Sequence, residues 1–198
     1  MGETCGQDGL VPRLRFPEFR WGPEWRQELL GELCEPKQWT TISRTDLTES
    51  GFPVYGANGQ IGFYSEYNHE HEVIAVSCRG ANCGEVNLVP AMSYVTGNSM
   101  CLEDIDPSRI SYEYLYQALK HADFGDVITG TAQPQIVGHA IRKLPVAVPG
   151  IQEQCRIAGC LGALDALISG EMEKLGSLKR FKRGLMERLF PVGIRREL

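Results

Sequence analysis

The chain has 198 residues, 42% of them hydrophobic, and a formal net charge of −5 that is divided into −8 for residues 1–150 and +3 for residues 151–198. This length provides one sizeable core with an appended element, and no apolar run approaches the roughly 20 residues that cross a bilayer. The acidic larger region lacks the basic surface that proteins binding nucleic acid by phosphate attraction normally have.

The region up to residue 105 predicts several short strands and one short helix. Residues 24–35 (EWRQELLGELCE) favour the helix, and Ser43 to Asp46 (SRTD) match a capping box. Residues 52–67 predict a β-hairpin, because Asn58-Gly59 is a strong signal for a two-residue turn. Further strands are predicted at residues 72–77, 85–90 and 99–105, and the glycine-rich segment CRGANCGE lies between the first two.

Asp106-Pro107 predicts the start of a second helix, which places Ile110, Tyr114, Leu115 and Ala118 on one apolar face. A last strand is expected at residues 141–149, where Pro145 restricts it to an edge. From residue 151 to residue 190 the pattern becomes a long helix with no proline. At 1.5 Å per residue this helix is roughly 60 Å long.

The long helix has an apolar seam whose spacings alternate between three and four, which is typical of a coiled coil. Glu171 and Lys182 interrupt the seam. The seam residues, which we predict to mediate dimerisation, are Ile157, Leu161, Leu164, Ile168, Leu175, Leu178, Leu185 and Leu189.

The sequence contains no recognised catalytic motif. It lacks a GxxxxGK[ST] phosphate loop, a GxSxG elbow and an HExxH helix, and Glu103 and Asp104 point to opposite faces of a strand. The seven cysteines form no CxxC pair, which favours free thiols in a reducing cytoplasm. His69 and His71 lack a ligand partner and are expected in a solvated turn. A catalytic Cys with His stays open, but the sequence favours a non-enzyme without cofactor or metal.

The loops are instead rich in neutral hydrogen-bonding side chains and isolated arginine. Asn and Gln can donate one hydrogen bond to adenine and accept another from it, and Arg can donate two to guanine, so these loops are suited to read base edges. The alternative is structural: Asn and Gly set turn geometry, and Gln135 caps a buried backbone group. The candidate DNA-binding residues are Tyr55, Asn58, Gln60, Tyr64, Arg79, Asn82, Asn98, Thr129, Gln133 and Gln135.

Six segments in order resemble the specificity subunit of type I restriction-modification systems. They cover nearly the whole chain, and their ordered set is more specific than any one of them. The segments are VPRLRFPEF, GFPVYGANGQIGFY, VSCRGANCGEVNLV, TGTAQPQI, LPVAVPGIQEQCRIAGCLGALDALI and LKRFKRGLMERLFP.

The resemblance implies an α+β chain: a strand-rich globular target recognition domain at residues 1–150, one long coiled-coil-forming helix at 151–190 that serves for dimerisation and as a spacer, and a tail at 191–198. The family's usual subunit carries two such halves, so a half-size subunit is implied. Such a subunit has no chemistry of its own. It selects a bipartite site on double-stranded DNA for adenine methyltransferase subunits and, in some complexes, restriction subunits.

Two other function classes stay open. A stand-alone DNA-binding regulator would need a basic helix that faces a groove, whereas Lys179, Arg180, Lys182 and Arg183 cluster on the coiled-coil helix. An adaptor would use the helix to dock a partner without binding DNA. Comparing partner capture with and without duplex DNA separates the adaptor from the recognition subunit.

Overall fold

The computed structural model describes residues 10–130 and 132–190, which form two compact units: one up to Ile157 and one from Ala158. The first unit holds all described strands, and the second consists of the continuation of one long helix. The predicted α+β class, with a strand-rich domain followed by a long helix, is therefore confirmed. The tail at residues 191–198 lies outside the described residues.

The first unit is built from short strands joined by turns and brief helices. The strands are β1 (Arg26–Leu29), β2 (Glu35–Gln38), β3 (Phe52–Gly56), β4 (Gly59–Tyr64), β5 (Val73–Ser77), β6 (Val86–Val89), β7 (Tyr94–Val95), β8 (Ser99–Glu103), β9 (Ile128–Thr129), β10 (Gln135–Ile136) and β11 (Pro145–Val148). The helices are α1 (Leu30–Leu33), α2 (Tyr112–His121), α3 (Gly138–Ile141) and α4 (Ile151–Leu189), with 3-10 turns at Pro17–Phe19 and Arg44–Asp46.

The core lies around a four-stranded antiparallel sheet in the order β2-β8-β5-β6. Every residue of β5 is buried, because its uninterrupted VIAVS sequence is covered on both faces. Helix α2 packs against β6 and β11 and buries Tyr114, Leu115 and Leu119. The central sheet thus supplies the rigid support from which the loops at its ends emerge.

A second sheet, ordered β4-β3-β7, contains the predicted hairpin. Strands β3 and β4 pair antiparallel, and Gly59 has a φ of +87°, a left-handed conformation that favours glycine. The capping box predicted at Ser43 is also present, with the Ser43 amide donating to Asp46 Oδ2 at 3.2 Å. The predicted hairpin and capping box are therefore confirmed, although the two residues between the strands are Ala57 and Asn58 rather than Asn58 and Gly59.

The prediction of a helix at residues 24–35 is wrong. This segment forms β1, the single turn α1 and β2, because β1 pairs antiparallel with the distant β11 and that pairing overrides local helix propensity. The second predicted helix begins later than expected, at Tyr112. Asp106 instead holds a turn by accepting from the Ser108 amide at 2.9 Å, and the Ser111 side chain caps α2.

His69 is buried rather than solvated. Its ring lies edge-on to Trp39 with centroids 5.6 Å apart, and its Nε2 is 3.4 Å from a Glu103 carboxylate oxygen. Burial lowers the pKa of His69, although Glu103 opposes this effect. His71 is exposed, and among the described residues no group of His, Cys, Asp or Glu side chains could hold a metal ion. The described helices also include none that could span a bilayer.

The segment that contains Arg15, Phe16 and Glu18 contacts the beginning of α4. Arg15 donates to both carboxylate oxygens of the buried Glu153, with each N···O distance 2.7 Å. Arg156 lies 4.9 Å from the ring centroid of Phe16 and 3.3 Å from a carboxylate oxygen of Glu18. Each of these paired side chains belongs to the first compact unit. The beginning of the long helix is therefore part of the first unit's packing.

Gln154 completes this attachment from a fully buried position. Its Nε2 donates to the carbonyls of Arg109 at 3.0 Å and Pro149 at 2.8 Å, and its Oε1 accepts from the Ser111 amide at 2.8 Å. One side chain thus satisfies three backbone groups from two segments.

We expect Gln154→Leu to lower the free energy of unfolding by about 3 kcal/mol, because buried backbone groups would lose their partners. The measurement is urea denaturation at fixed protein concentration. The matched control is Gln152→Leu, at an exposed position two residues away, which should change stability by less than about 0.5 kcal/mol. Equal effects of the two substitutions would contradict the structural role of Gln154.

Candidate nucleic-acid interface

The segments 78–84 and 129–136, which contain five of the ten predicted base-reading residues, lie side by side. The Gly80 amide donates to the Pro134 carbonyl at 3.1 Å, and the Ile136 amide donates to the Cys78 carbonyl at 3.0 Å. Arg79 and Gln135 form an antiparallel bridge between these two bonds. Two loops that are distant in sequence are thereby joined by their backbones.

Two further loops adjoin this pair. The Cys78 amide donates to the Asn98 carbonyl at 3.0 Å, which attaches the loop at residues 96–98. The Ser77 hydroxyl donates to the Ala57 carbonyl at 2.9 Å, which attaches the hairpin turn that carries Asn58. Four loops therefore meet at one end of β5, and we call residues 57–60, 78–84, 96–98 and 129–136 the loop cluster.

The loop cluster is nearly neutral, and most of the predicted base-reading side chains in it are accessible. Arg79 is the one Lys, Arg, Asp or Glu in the cluster, so all 19 Asp and Glu of residues 1–150 lie outside it. Asn98 is half-buried. The exposed predicted residues are Asn58, Gln60, Arg79, Asn82, Thr129, Gln133 and Gln135. This surface offers hydrogen-bond donors and acceptors without a carboxylate that would repel DNA.

The two predicted tyrosines have different surroundings. Tyr55 is half-buried, and its ring packs against the apolar cluster that includes Val73 and Val95. Tyr64 lies at the opposite end of the hairpin from the turn, about 17 Å along β4, where its ring centroid is 5.5 Å from that of Tyr94. The structure therefore brings eight of the ten predicted residues to the loop cluster and gives these two rings packing contacts.

Sequence reasoning missed a supporting residue, Gln38. Its Nε2 donates to the Gly97 carbonyl at 2.9 Å and lies 2.9 Å from Cys78 Sγ, so it ties two loops of the cluster to the end of β2. Burial raises the pKa of the Cys78 thiol, and it does the same for Cys83. These thiols stay protonated near neutral pH, which disfavours the alternative of a catalytic cysteine in these loops.

Gly130 sets the shape of the segment at residues 129–136. Its φ of +83° is left-handed, and a Cβ added there would lie 2.7 Å from the Gln133 carbonyl oxygen. No other residue fits this turn without strain. The glycine in TGTAQPQI is therefore required by the backbone, whereas the glutamines that follow it are exposed.

Residues 23–180 match the family described as the type I restriction modification DNA specificity domain. The chain belongs to this family. It is 25% identical over 155 residues to the type I restriction enzyme EcoprrI specificity subunit of Escherichia coli, an alignment that covers 76% of this chain and 38% of that protein.

Two solved structures share the fold of this specificity domain. The type I restriction-modification S subunit from M. genitalium superposes with a TM-score of 0.67 at 22% identity, covering 83% of this chain and 44% of the other. The HsdS subunit from Thermoanaerobacter tengcongensis gives 0.55 at 18% identity, covering 91% and 47%. The chain thus spans less than half the length of each of these proteins.

We expect Gly130→Ala to lower the free energy of unfolding by about 2 kcal/mol, because alanine is strained at positive φ and its Cβ would contact a carbonyl. The control is Gly138→Ala at the start of α3, where an added Cβ meets no atom within 4 Å. That substitution should be neutral or stabilising by up to about 1 kcal/mol. Thermal denaturation of both variants measures the difference in stability. Equal changes in melting temperature would contradict the requirement for glycine at position 130.

Proposed function

We propose that this chain is a non-catalytic DNA-recognition subunit of a type I restriction-modification complex, with residues 1–150 as its target recognition domain. The observation that carries the proposal is the convergence of four polar loops into one accessible cluster. Membership of the specificity family supports it independently. The relatives' names support neither of the other two classes, the stand-alone regulator and the DNA-independent adaptor.

The chemistry of the loop cluster suits base readout more than phosphate binding. Gln133, Gln135 and Asn82 carry amides that can form two hydrogen bonds with adenine, and Arg79 can form two with guanine. Phosphate contacts supply most of the affinity for DNA, whereas base contacts supply specificity. An acidic domain can therefore read DNA if other subunits hold the backbone.

Those other subunits are adenine methyltransferases in this proposal, with restriction subunits in complexes that also cleave. The acidic balance of residues 1–150 supports a division of labour in which this chain chooses the site and its partners bind phosphate and modify the base. The free thiols of the described cysteines fit the reducing cytoplasm in which such a complex would act.

Helix α4 is proposed to pair with an identical helix. Among its seam residues Ile157 is half-buried, while Ile168 and Leu175 are more than half exposed, at 58% and 51%. A long, mostly apolar seam of this kind is stable when it is covered, and twofold pairing is the commonest way for a chain to cover it. Antiparallel pairing separates two recognition domains by a helix roughly 60 Å long.

The proposed pairing determines the form of the DNA site. Two identical readers related by a twofold axis recognise inverted half-sites, and the helices between them leave a spacer unread. A helix of roughly 60 Å limits the separation to at most about two turns of DNA, each of about 34–36 Å.

We expect Arg79→Ala or Gln133→Ala, assayed in complex with the methyltransferase, to reduce discrimination at one base position by about 1–3 kcal/mol. Competition with duplexes substituted at each base pair measures this. The matched control is Arg44→Ala, an exposed arginine of the same domain outside the loop cluster. An equal loss of affinity for all DNA sequences, or unfolding of every loop variant, would mean that these side chains do not read bases.

We expect Ile168→Asp to give monomers that no longer support methylation, because a carboxylate buried in the seam would face apolar side chains of the partner. Light scattering measures the mass, and a methylation assay measures function. The control is Ser169→Asp, which adds the same charge away from the seam. A wild-type chain that stays monomeric at high concentration would contradict self-pairing and would indicate that a different half-subunit covers the seam.

A further inference from the structure

The hairpin that carries Asn58 and Gln60 contains one extra residue in its second strand. Val54 pairs with Gly62 and Tyr55 pairs with Gln60, so Ile61 has no partner on β3. This arrangement is a β-bulge, which bends the strand that contains it and increases the local twist. The direction of the hairpin tip, residues 57–60, therefore depends on Ile61.

On the far side of Ile61 from the tip, β4 is held in place. The Thr48 amide donates to the Phe63 carbonyl at 2.9 Å. The Leu47 side chain packs beside Gly62, since a Cβ added to that glycine would lie 3.1 Å from Leu47 Cδ1. This part of β4 is thus fixed between β3 and the segment at residues 47–48, and the bulge begins where that support ends.

The tip itself is attached to the loop cluster from one side only. The Thr96 amide donates to the Tyr55 carbonyl at 2.9 Å, and the Ser77 hydroxyl donates to the Ala57 carbonyl at 2.9 Å. Both carbonyls precede Asn58. Gln60 follows it on β4, which is the edge strand of the order β4-β3-β7, and its side chain is exposed. The position of Gln60 is therefore set by its pairing with Tyr55 and by the adjacent bulge.

The side chain of Ile61 links the bulge to the loop cluster. A Cβ added to the buried Gly56 would lie 3.7 Å from two Ile61 side-chain carbons and 3.5 Å from Thr96 Oγ1. Ile61 and Thr96 thus border the same small space beside the Gly56 backbone, although Ile61 remains 45% exposed. Because Thr96 belongs to the loop cluster, this packing orients the bulge relative to the loop at residues 96–98.

We propose that Ile61 is a positioning residue for DNA recognition, whose bulge places Gln60 within the reading surface of the loop cluster. This inference rests on the function proposed above. The glutamine amide makes the base contact, and Ile61 acts through the direction that it gives to the edge strand. A bulge at this point supplies a bend that the paired residues of a regular hairpin would not.

Competition with duplexes substituted at each base pair, in the complex with the methyltransferase, tests the proposal. Gln60→Ala should reduce discrimination roughly tenfold at one base position, which identifies the base that it reads. Deletion of Ile61 removes the bulge and keeps the other pairs of β3 and β4 in register, and it should cause a similar loss at that same position. Combining the two changes should cause no further loss, because both remove one contact.

Two substitutions separate positioning from stability. Ile61→Val keeps the extra residue and most of its side chain, so it should retain the wild-type discrimination at every position. Ile61→Gly keeps the length of the chain but removes the packing beside Gly56, and it should reduce discrimination at the position identified by Gln60→Ala. This variant provides the test if the deletion prevents folding, because it changes only one partly exposed side chain.

The outcomes distinguish this inference from the proposed function. Unchanged discrimination in Ile61→Gly, an equal loss of affinity for all sequences, or additive losses in the combined variant would overturn the role of Ile61. A Gln60→Ala variant that discriminates like the wild type would overturn it as well, since no contact would remain to be positioned. A wild-type complex without any sequence preference would instead overturn the proposed function.

Discussion

Two backbone hydrogen bonds, from the Gly80 amide to the Pro134 carbonyl and from the Ile136 amide to the Cys78 carbonyl, hold together the loops that we propose to read DNA. Backbone bonds leave the side chains of Arg79 and Gln135 unconstrained by the pairing itself. The loops can therefore differ in side-chain identity between related proteins without losing their arrangement, because the pairing requires only amides and carbonyls. In the proposed recognition surface, backbone bonds would set the arrangement of the loops and side chains would set which bases they contact.

The charges of the domain also differ between the loop cluster and the remaining residues. The loop cluster carries one positive charge, while the acidic residues of the domain lie elsewhere and are partly used to stabilise the fold. Glu153 holds Arg15, and the Glu35 carboxylate forms a paired contact with the Arg142 guanidinium that lowers the pKa of that carboxyl. These two carboxylates thus have structural partners, and the loop cluster itself contains no Asp or Glu.

Local signals in the sequence predicted the elements that depend on neighbouring residues. The Asn58-Gly59 hairpin, the Ser43 capping box and α4 belong to this group. The segment that forms β1 could not be predicted, because its partner β11 lies at the far end of the domain. The candidate site shows the same dependence on distant contacts. The exposure of Gln133 could be predicted from its polar loop. The hydrogen bond from Gln38 to the loop at residues 96–98 could not, because it joins distant segments.

The central claim is that this chain selects a divided DNA site for an adenine methyltransferase. The most direct measurement is single-molecule sequencing of methylated adenine in cells that express the chain with the methyltransferase, compared with cells that express the methyltransferase alone. The account predicts methylation at two inverted half-sites separated by an unread spacer, and only when the chain is present. A contiguous asymmetric motif, or the same methylation without the chain, would contradict it.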